Sequence, residues 1–278
     1  MIDEAPSPEL ETGWLATTPE NDSYVRRFLL NWAGSTQATA RSFGGSIAKR
    51  HGVHLADSGR PVVFSNCATL LQPLDAETAW DTMVEIDEFF GFTDPSRIGE
   101  VLLLSAWPTG DLQPYGWRLM GYPPLHLLPH GARPSEAPRE LEIKAVTDLT
   151  GLYAWERVAI AGYPLEGLGD APPGSIVSEA WLSDPRHRLW VGWSDGRPVA
   201  CSSAWVEQGI NHVSLVVTMP DARRRGFGEA LTWRAALADP SLPAMLLSSD
   251  DGRPVYERMG FLPLLRMTLW YRGRPGAG

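Results

Sequence analysis

Hydrophobic positions in the second half of the chain follow two distinct periods. Leu189–Trp193 and Pro198–Val206 are apolar runs of strand length flanking Asp195-Gly196, a dipeptide that readily adopts the positive φ of a tight hairpin. After a break at Gln208-Gly209, His212–Thr218 reads as a third strand. Leu152, Trp155 and Ala159 recur instead at helical spacing behind Thr147 or Asp148, either of which can cap a helix that stops at Gly162-Tyr163-Pro164. A second helix is expected from about Gly226 to Ala238, stopped by Pro240. Pro243–Ser248 follows as a strand, Arg253–Met259 as a short helix and Leu262–Tyr271 as a closing strand. With Glu140–Ala145 as an opening strand, the pattern predicts a mixed α/β sheet.

The first half is less regular. Asp75 heads a helix with Trp80, Met83, Val84, Asp87 and Phe90 at helical spacing, closed by Gly91, and Val101–Ala106 is a buried strand. Before Asn66 the pattern is weak, and Trp32–Gly45 fits either helix or loop. Between the halves, the stretch from Pro129 to Pro138 holds three prolines and a glycine, which oppose both helix and central strand. It predicts a linker over 130–139 between a domain at 1–129 and another at 140–278, and 278 residues suit two domains. The ends, up to about Asn21 and from Gly273 onwards, read as poorly ordered.

The halves also echo each other. Trp117–Leu125, with Gly121-Tyr122, parallels Tyr256–Leu264, with Gly260-Phe261, at an offset of 139. Gly59-Arg60-Pro61-Val62 parallels Gly196-Arg197-Pro198-Val199 at an offset of 137. Two matches in the same order predict a tandem duplication.

Composition narrows the class. With 44% hydrophobic and 21% charged residues the chain can bury a core, and no apolar run approaches the ~20 residues of a membrane span. The acidic start, Met1-Ile2-Asp3-Glu4, is unlike a secretory leader, and a net charge of −9 argues against nucleic-acid or anionic-membrane partners. Cys67 and Cys201 lie in strand-like apolar runs, so they read as buried thiols, with no disulfide framework or four-cysteine zinc site. A cytoplasmic protein is expected.

The chemistry concentrates where Val213–Thr218 runs into Met219-Pro220-Asp221-Ala222-Arg223-Arg224-Arg225-Gly226-Phe227-Gly228 and then a helix. Such a junction presents unpaired backbone N–H groups and the positive end of the helix dipole. Gly226 and Gly228 let a ligand approach the main chain, and Arg223, Arg224 and Arg225 add charge. A pyrophosphate or similar dianion suits the site. The Gly-x-x-x-x-Gly-Lys pattern of a nucleoside-triphosphate loop is absent, as is the third glycine of a dinucleotide fingerprint.

Arg223-x-x-Gly226-x-Gly228, preceded by Pro220-Asp221, resembles the acyl-CoA pyrophosphate loop of the GCN5-related N-acetyltransferase (GNAT) superfamily. Val255-Tyr256-Glu257-Arg258-Met259-Gly260-Phe261 is similar to that superfamily's closing motif. The resemblance covers about half the chain, from Leu141 to Tyr271. It implies that backbone groups of Val216, Val217 and Thr218 hold the pantetheine arm, that the amides of Arg223 to Gly228, Phe227 included, cradle the pyrophosphate, and that Tyr256 protonates the departing thiolate. Ser249 stands where many relatives carry an asparagine that contacts the cofactor arm. Where many relatives carry a glutamate acting as base, this chain offers Asn211, His212 and Ser214, with Glu207 on the neighbouring strand; His212 has a suitable intrinsic pKa. Trp181, Trp190 and Trp205 are candidates to line an acceptor pocket, and Asp170–Ser175 falls where relatives have a substrate-gating loop.

The fold expected from the resemblance is α/β, with two tandem acetyltransferase-like domains, each a mixed, mostly antiparallel sheet flanked by helices. The first would be a degenerate copy without a cradle. The expected activity is transfer of an acetyl or other short acyl group from acyl-CoA to an amine by direct attack, without a metal. A small-molecule amine is favoured over a protein as acceptor. The competing readings are a catalytically silent acyl-CoA sensor and an NAD-dependent oxidoreductase. His51-x-x-His54 with Asp57 is a further, metal-like spacing without a confident helix to gather it.

Overall fold

A computed structural model describes residues 23–50, 52–74, 77, 79–163 and 168–274. The expected cap Asp75, the helix stop Pro164, His51 and the N-terminal segment up to Asn21 lie outside these residues.

The stretch left open between helix and loop is helical. α1 (Tyr24–Ser42) starts where the Ser23 side chain accepts the Arg26 amide, and it buries Phe28, Leu29, Ala33, Gln37 and Ala40 on one face. Gly44, at φ +73, turns the chain into β1 (Ser46–Arg50). β2 (Val53–Asp57), β3 (Asn66–Leu70), α2 (Ala79–Phe90), β4 (Glu100–Ser105), β5 (Arg118–Gly121) and β6 (Pro124–Leu128) follow. α2 buries Met83, Ile86 and Phe90, whereas Trp80, expected on the same face, is 64% exposed. No helix or strand lies between Leu128 and Glu142.

The second half keeps the expected order. β7 (Glu142–Ala145) precedes α3 (Leu149–Gly162), capped by the Asp148 carboxylate on the Gly151 amide at 2.8 Å. β8 (His187–Ser194) and β9 (Arg197–Glu207) meet at Asp195 and Gly196, both at positive φ. β10 (Ile210–Thr218), α4 (Phe227–Ala236), β11 (Ala244–Leu247), α5 (Arg253–Arg258) and β12 (Leu262–Arg266) complete the series. The single closing strand read over Leu262–Tyr271 is two strands, because the chain leaves one sheet at Met267 and enters the other as β13 (Thr268–Gly273).

The two sheets have the orders β1-β2-β3-β4-β13-β5 and β12-β6-β11-β10-β9-β8-β7. They therefore exchange strands across the proline-rich segment. β6 enters the second sheet between β11 and β12, and β13 enters the first between β4 and β5. Apart from the additional edge strand β7, the two orders are the same, each with one parallel pair, β3/β4 and β10/β11. A shared core joins the sheets, uniting Phe28, Leu29, Leu102 and Leu104 with Leu125, Ile210, Met245 and Leu265.

This topology corrects both internal alignments. Gly52 and Gly196 sit in equivalent hairpins, and Gly116 and Gly260 precede equivalent strands; each pair is 144 positions apart and all four have positive φ. Gly59, by contrast, follows β2 rather than β1, and Gly121 ends β5 rather than preceding it. Trp117 therefore corresponds to Phe261, and Leu112 to Tyr256.

Gly273 and Arg274, read as part of a loose tail, are held instead. Gly273 ends β13, and the buried Arg274 guanidinium lies 2.9 Å from Asp57. Asp57 also takes Arg97 at 3.1 Å, so its carboxylate is engaged by two arginines. Both cysteine thiols are buried and free, and burial pushes Cys67 up to about 11.

Candidate active site

The site forms where β10 loses its neighbours. β10 pairs with the parallel β11 only at Asn211 and His212, and beyond them the strands diverge. On its other edge, pairing with β9 is irregular between Ser214 and Val217, and Leu215 takes a left-handed φ of +48. On the β11 side the main chain from Val213 to Thr218 thus faces an opening, while Val213, Ser214, Val217 and Thr218 stay paired with β9. Of the residues expected to line it, Val216 and Thr218 are partly exposed, whereas the Val217 side chain is buried against α3, leaving only its backbone available.

At the open end of β10, a turn over Pro220–Ala222 leads to Arg224 at φ +63 and Gly226 at φ +80, which caps α4. The three arginines have separate tasks. Arg223 donates to the carbonyls of Thr218 at 3.2 Å and Gly162 at 2.9 Å, tying the loop to the end of α3. Arg225 stacks on the Phe227 ring and reaches Glu140 at 3.4 Å. Arg224 is exposed and, among the described residues, has no side-chain partner. The Phe227 side chain is core, so its amide is the part that faces the loop. Gly228 packs so closely on β10 that a Cβ there would meet Thr218 Oγ1 at 3.3 Å. The proline-rich segment runs along the same mouth. A Cβ on Gly226 would meet Pro138 at 3.3 Å, and Ser135 donates to Glu229 at 2.7 Å.

Tyr256, on α5, packs against Phe261 at 5.8 Å between ring centroids and against His126 of β6 at 6.3 Å. Burial raises its hydroxyl pKa, and among the described residues that hydroxyl has no hydrogen-bond partner. Ser249 is exposed and accepts the Gly252 amide at 3.1 Å, so it serves the turn that starts α5.

His212 stands apart from this group. It is buried against Phe28 and Trp32 of α1, with Nδ1 3.0 Å from Asn31 Oδ1, and burial lowers its pKa to about 3. Glu207 takes hydrogen bonds from Arg186 and from Trp205 Nε1, both at 3.0 Å, and the Asn211 amide is bound to the carbonyls of Ala236 and Asp239. Trp181 and Trp205 line a cavity of about 260 Å³ with His187 and the end of α1, whereas Trp190 packs on the α4 side. Glu156 of α3, buried, accepts the Gly174 and Ile176 amides at 2.7 and 2.8 Å and so fixes the segment suggested as a gate.

One residue that sequence reasoning passed over borders Tyr256. His126 is buried in the second sheet, and its Nε2 has no hydrogen-bond partner among the described residues. His126 was hidden because it belongs, by position in the chain, to the other half.

Comparison with known proteins fits this geometry. Residues 185–263, which include the divergent strand, the arginine loop and α5, match the family model of the acetyltransferase (GNAT) domain. A GCN5-related N-acetyltransferase from Kribbella flavida is similar in structure over 88% of this chain and 96% of its own, with a TM-score of 0.62 and 21% identity. A GNAT-family protein from Novosphingobium aromaticivorans matches over 91% of this chain and 99% of its own, with a TM-score of 0.59 and 19% identity. A conserved protein from Staphylococcus epidermidis matches over 82% and 93%, with a TM-score of 0.63 and 12% identity. No curated protein matches the chain in sequence. Residues 185–263 therefore match the acetyltransferase (GNAT) domain model, and the chain carries the fold of solved GNAT proteins.

Proposed function

We propose that this protein is an acyl-CoA-dependent N-acyltransferase that moves an acetyl or other short acyl group to a small-molecule amine, with its working site in the second half. The observation that carries the reading is the divergence of β10 from β11 beside a positive-φ arginine loop and an unpartnered tyrosine hydroxyl.

The loop suits a diphosphate. Residues at positive φ turn successive amides toward one side, α4 adds its N-terminal N–H groups, and Arg224 supplies a free cation. Backbone groups of Val216, Val217 and Thr218, where β10 has left β11, hold the pantetheine arm and polarise the thioester carbonyl. The amine nitrogen bonds to the carbonyl carbon, and the carbon–sulfur bond breaks with its electron pair passing to sulfur. Tyr256 gives that sulfur its hydroxyl proton. The raised pKa keeps the phenol protonated until a thiolate develops beside it.

Ser249 and His212 have weaker parts in this reading than the sequence suggests. Ser249 acts in its turn, and burial disfavours the imidazolium that His212 would form as a base. We read His212 as a structural residue and leave the amine's proton to solvent.

The first half is proposed as a degenerate copy. Three of the five residues of β3 pair with β4, so the opening found in the second sheet has no counterpart. The apolar Leu112 stands at the position of Tyr256, and the Trp80 and Tyr115 rings meet at 5.8 Å between α2 and the turn before β5. Thermal-shift measurements with acetyl-CoA, longer acyl-CoAs and NAD test the reading, since only the CoA esters should stabilise the protein. Stabilisation by NAD alone would contradict it.

A further inference from the structure

We propose that His126, on the strand that the first half lends to the second sheet, accepts a hydrogen bond from the Tyr256 hydroxyl, directly or through one water, and thereby positions the proton donor. The proposal rests on the acid role given to Tyr256 above.

β6 places His126 opposite Leu246 of β11 and Pro263 of β12, on the face that packs against α5. The side chain is fully buried. Its Nδ1 lies 3.2 Å from the Pro124 carbonyl oxygen, which only accepts, so Nδ1 carries the hydrogen. Nε2 is then a lone-pair acceptor, and it is buried without a donor among the described residues. A buried polar atom left in that state is costly and rare in folded proteins. The neighbouring Tyr256 ring, 6.3 Å away at 49°, carries a hydroxyl that lacks an acceptor among the described residues. A buried acceptor without a protein donor thus stands beside a tyrosine whose hydroxyl has no protein acceptor among the described residues.

The charges around the imidazole are Arg253 and Glu257 of α5 and Arg266 of β12, the last paired with Asp250 at 2.7 Å. Burial outweighs them and keeps the ring neutral. A neutral, weakly basic imidazole holds the phenol proton without removing it. A developing thiolate is the stronger base and takes that proton when it forms. His126 itself exchanges no proton.

The hydrogen-bond test needs no acceptor amine. In protein carrying ¹⁵N-histidine, the His126 resonances, assigned by their loss in His126→Phe, should report the Nδ1–H tautomer. The Nε2 signal should shift in Tyr256→Phe. In His126→Phe the Tyr256 phenol should titrate at lower pH, because a hydrogen bond donated by the neutral phenol is lost. If His126→Phe does not fold, assignment through the neighbouring backbone and the Tyr256→Phe comparison still decide. An Nε2–H tautomer, or an Nε2 signal indifferent to Tyr256→Phe, overturns the proposal. Normal acetyl-CoA turnover in Tyr256→Phe with the Nε2 shift intact would instead overturn the acid role and leave the hydrogen bond standing.

Discussion

Asn31 Oδ1 lies 3.0 Å from His212 Nδ1, while the Asn31 amide donates to the carbonyls of Trp205 and Glu207. One side chain of α1 thus fastens the ends of β9 and β10, and the imidazole it holds is neutral. The pKa of His212 is about 3 in the folded protein and about 6.5 when unfolded, so between those values the unfolded chain binds the extra proton. The stability contributed by the neutral ring is fully present above about pH 6.5 and is lost as pH falls toward 3, by up to about 1.4 kcal/mol per pH unit. Denaturant melts between pH 7 and 4 should show this slope on top of that of His187, whose pKa burial lowers to about 4, and His212→Gln should remove its own share while costing roughly 1–3 kcal/mol at pH 7. Turnover should stay within about threefold of wild type; a larger fall with loss of the acidic limb of the rate profile would restore His212 as a base.

The arginine loop is open to a backbone test. Gly226→Val places a branched side chain at φ +80 and against Pro138, so both the turn and the segment beside it must shift. The acetyl-CoA dissociation constant should rise at least tenfold, about 1.4 kcal/mol, in isothermal titration. Arg224→Ala should weaken binding less, and its effect should shrink as salt is raised, since the side chain is exposed. Unchanged affinity in a folded Gly226→Val protein would remove the loop from the site.

Strand exchange makes the halves interdependent. Cutting the chain in the proline-rich segment leaves the first fragment without β13 and the second without β6. Each fragment would expose ladder groups and apolar strand faces where Trp270 or Leu125 is now buried. Expressed alone, the fragments should aggregate or stay unfolded; expressed together, they should co-purify as a complex. Two independently folded, soluble fragments would contradict the importance of the exchange.

Much of the second half was legible because its signals are local. Asp148 caps α3 by bonding an amide three residues on, and Asp195-Gly196 turns by its own φ preference. The spacing of Arg223, Gly226 and Gly228 likewise lies within one loop. What remained hidden depends on distant partners. Nothing in the alternation of Pro124–Leu128 or Thr268–Gly273 says which sheet receives the strand, because an apolar strand satisfies either. The two halves repeat one strand order, but the sequence echoes misalign it, since Gly59 and Gly121 mimic the turn chemistry of Gly52 and Gly116. His126 beside Tyr256 could be seen only after β6 had been placed.

Release of thiol from acetyl-CoA, measured across a panel of small amines with wild-type protein and Tyr256→Phe, tests the account most directly. Wild type should turn over with at least one amine. Tyr256→Phe should lower kcat by about 10²-fold with KM for acetyl-CoA nearly unchanged, because the lost group acts mainly in the transition state. Saturable acetyl-CoA binding without thiol release from any amine would mark the protein as a sensor and contradict the account.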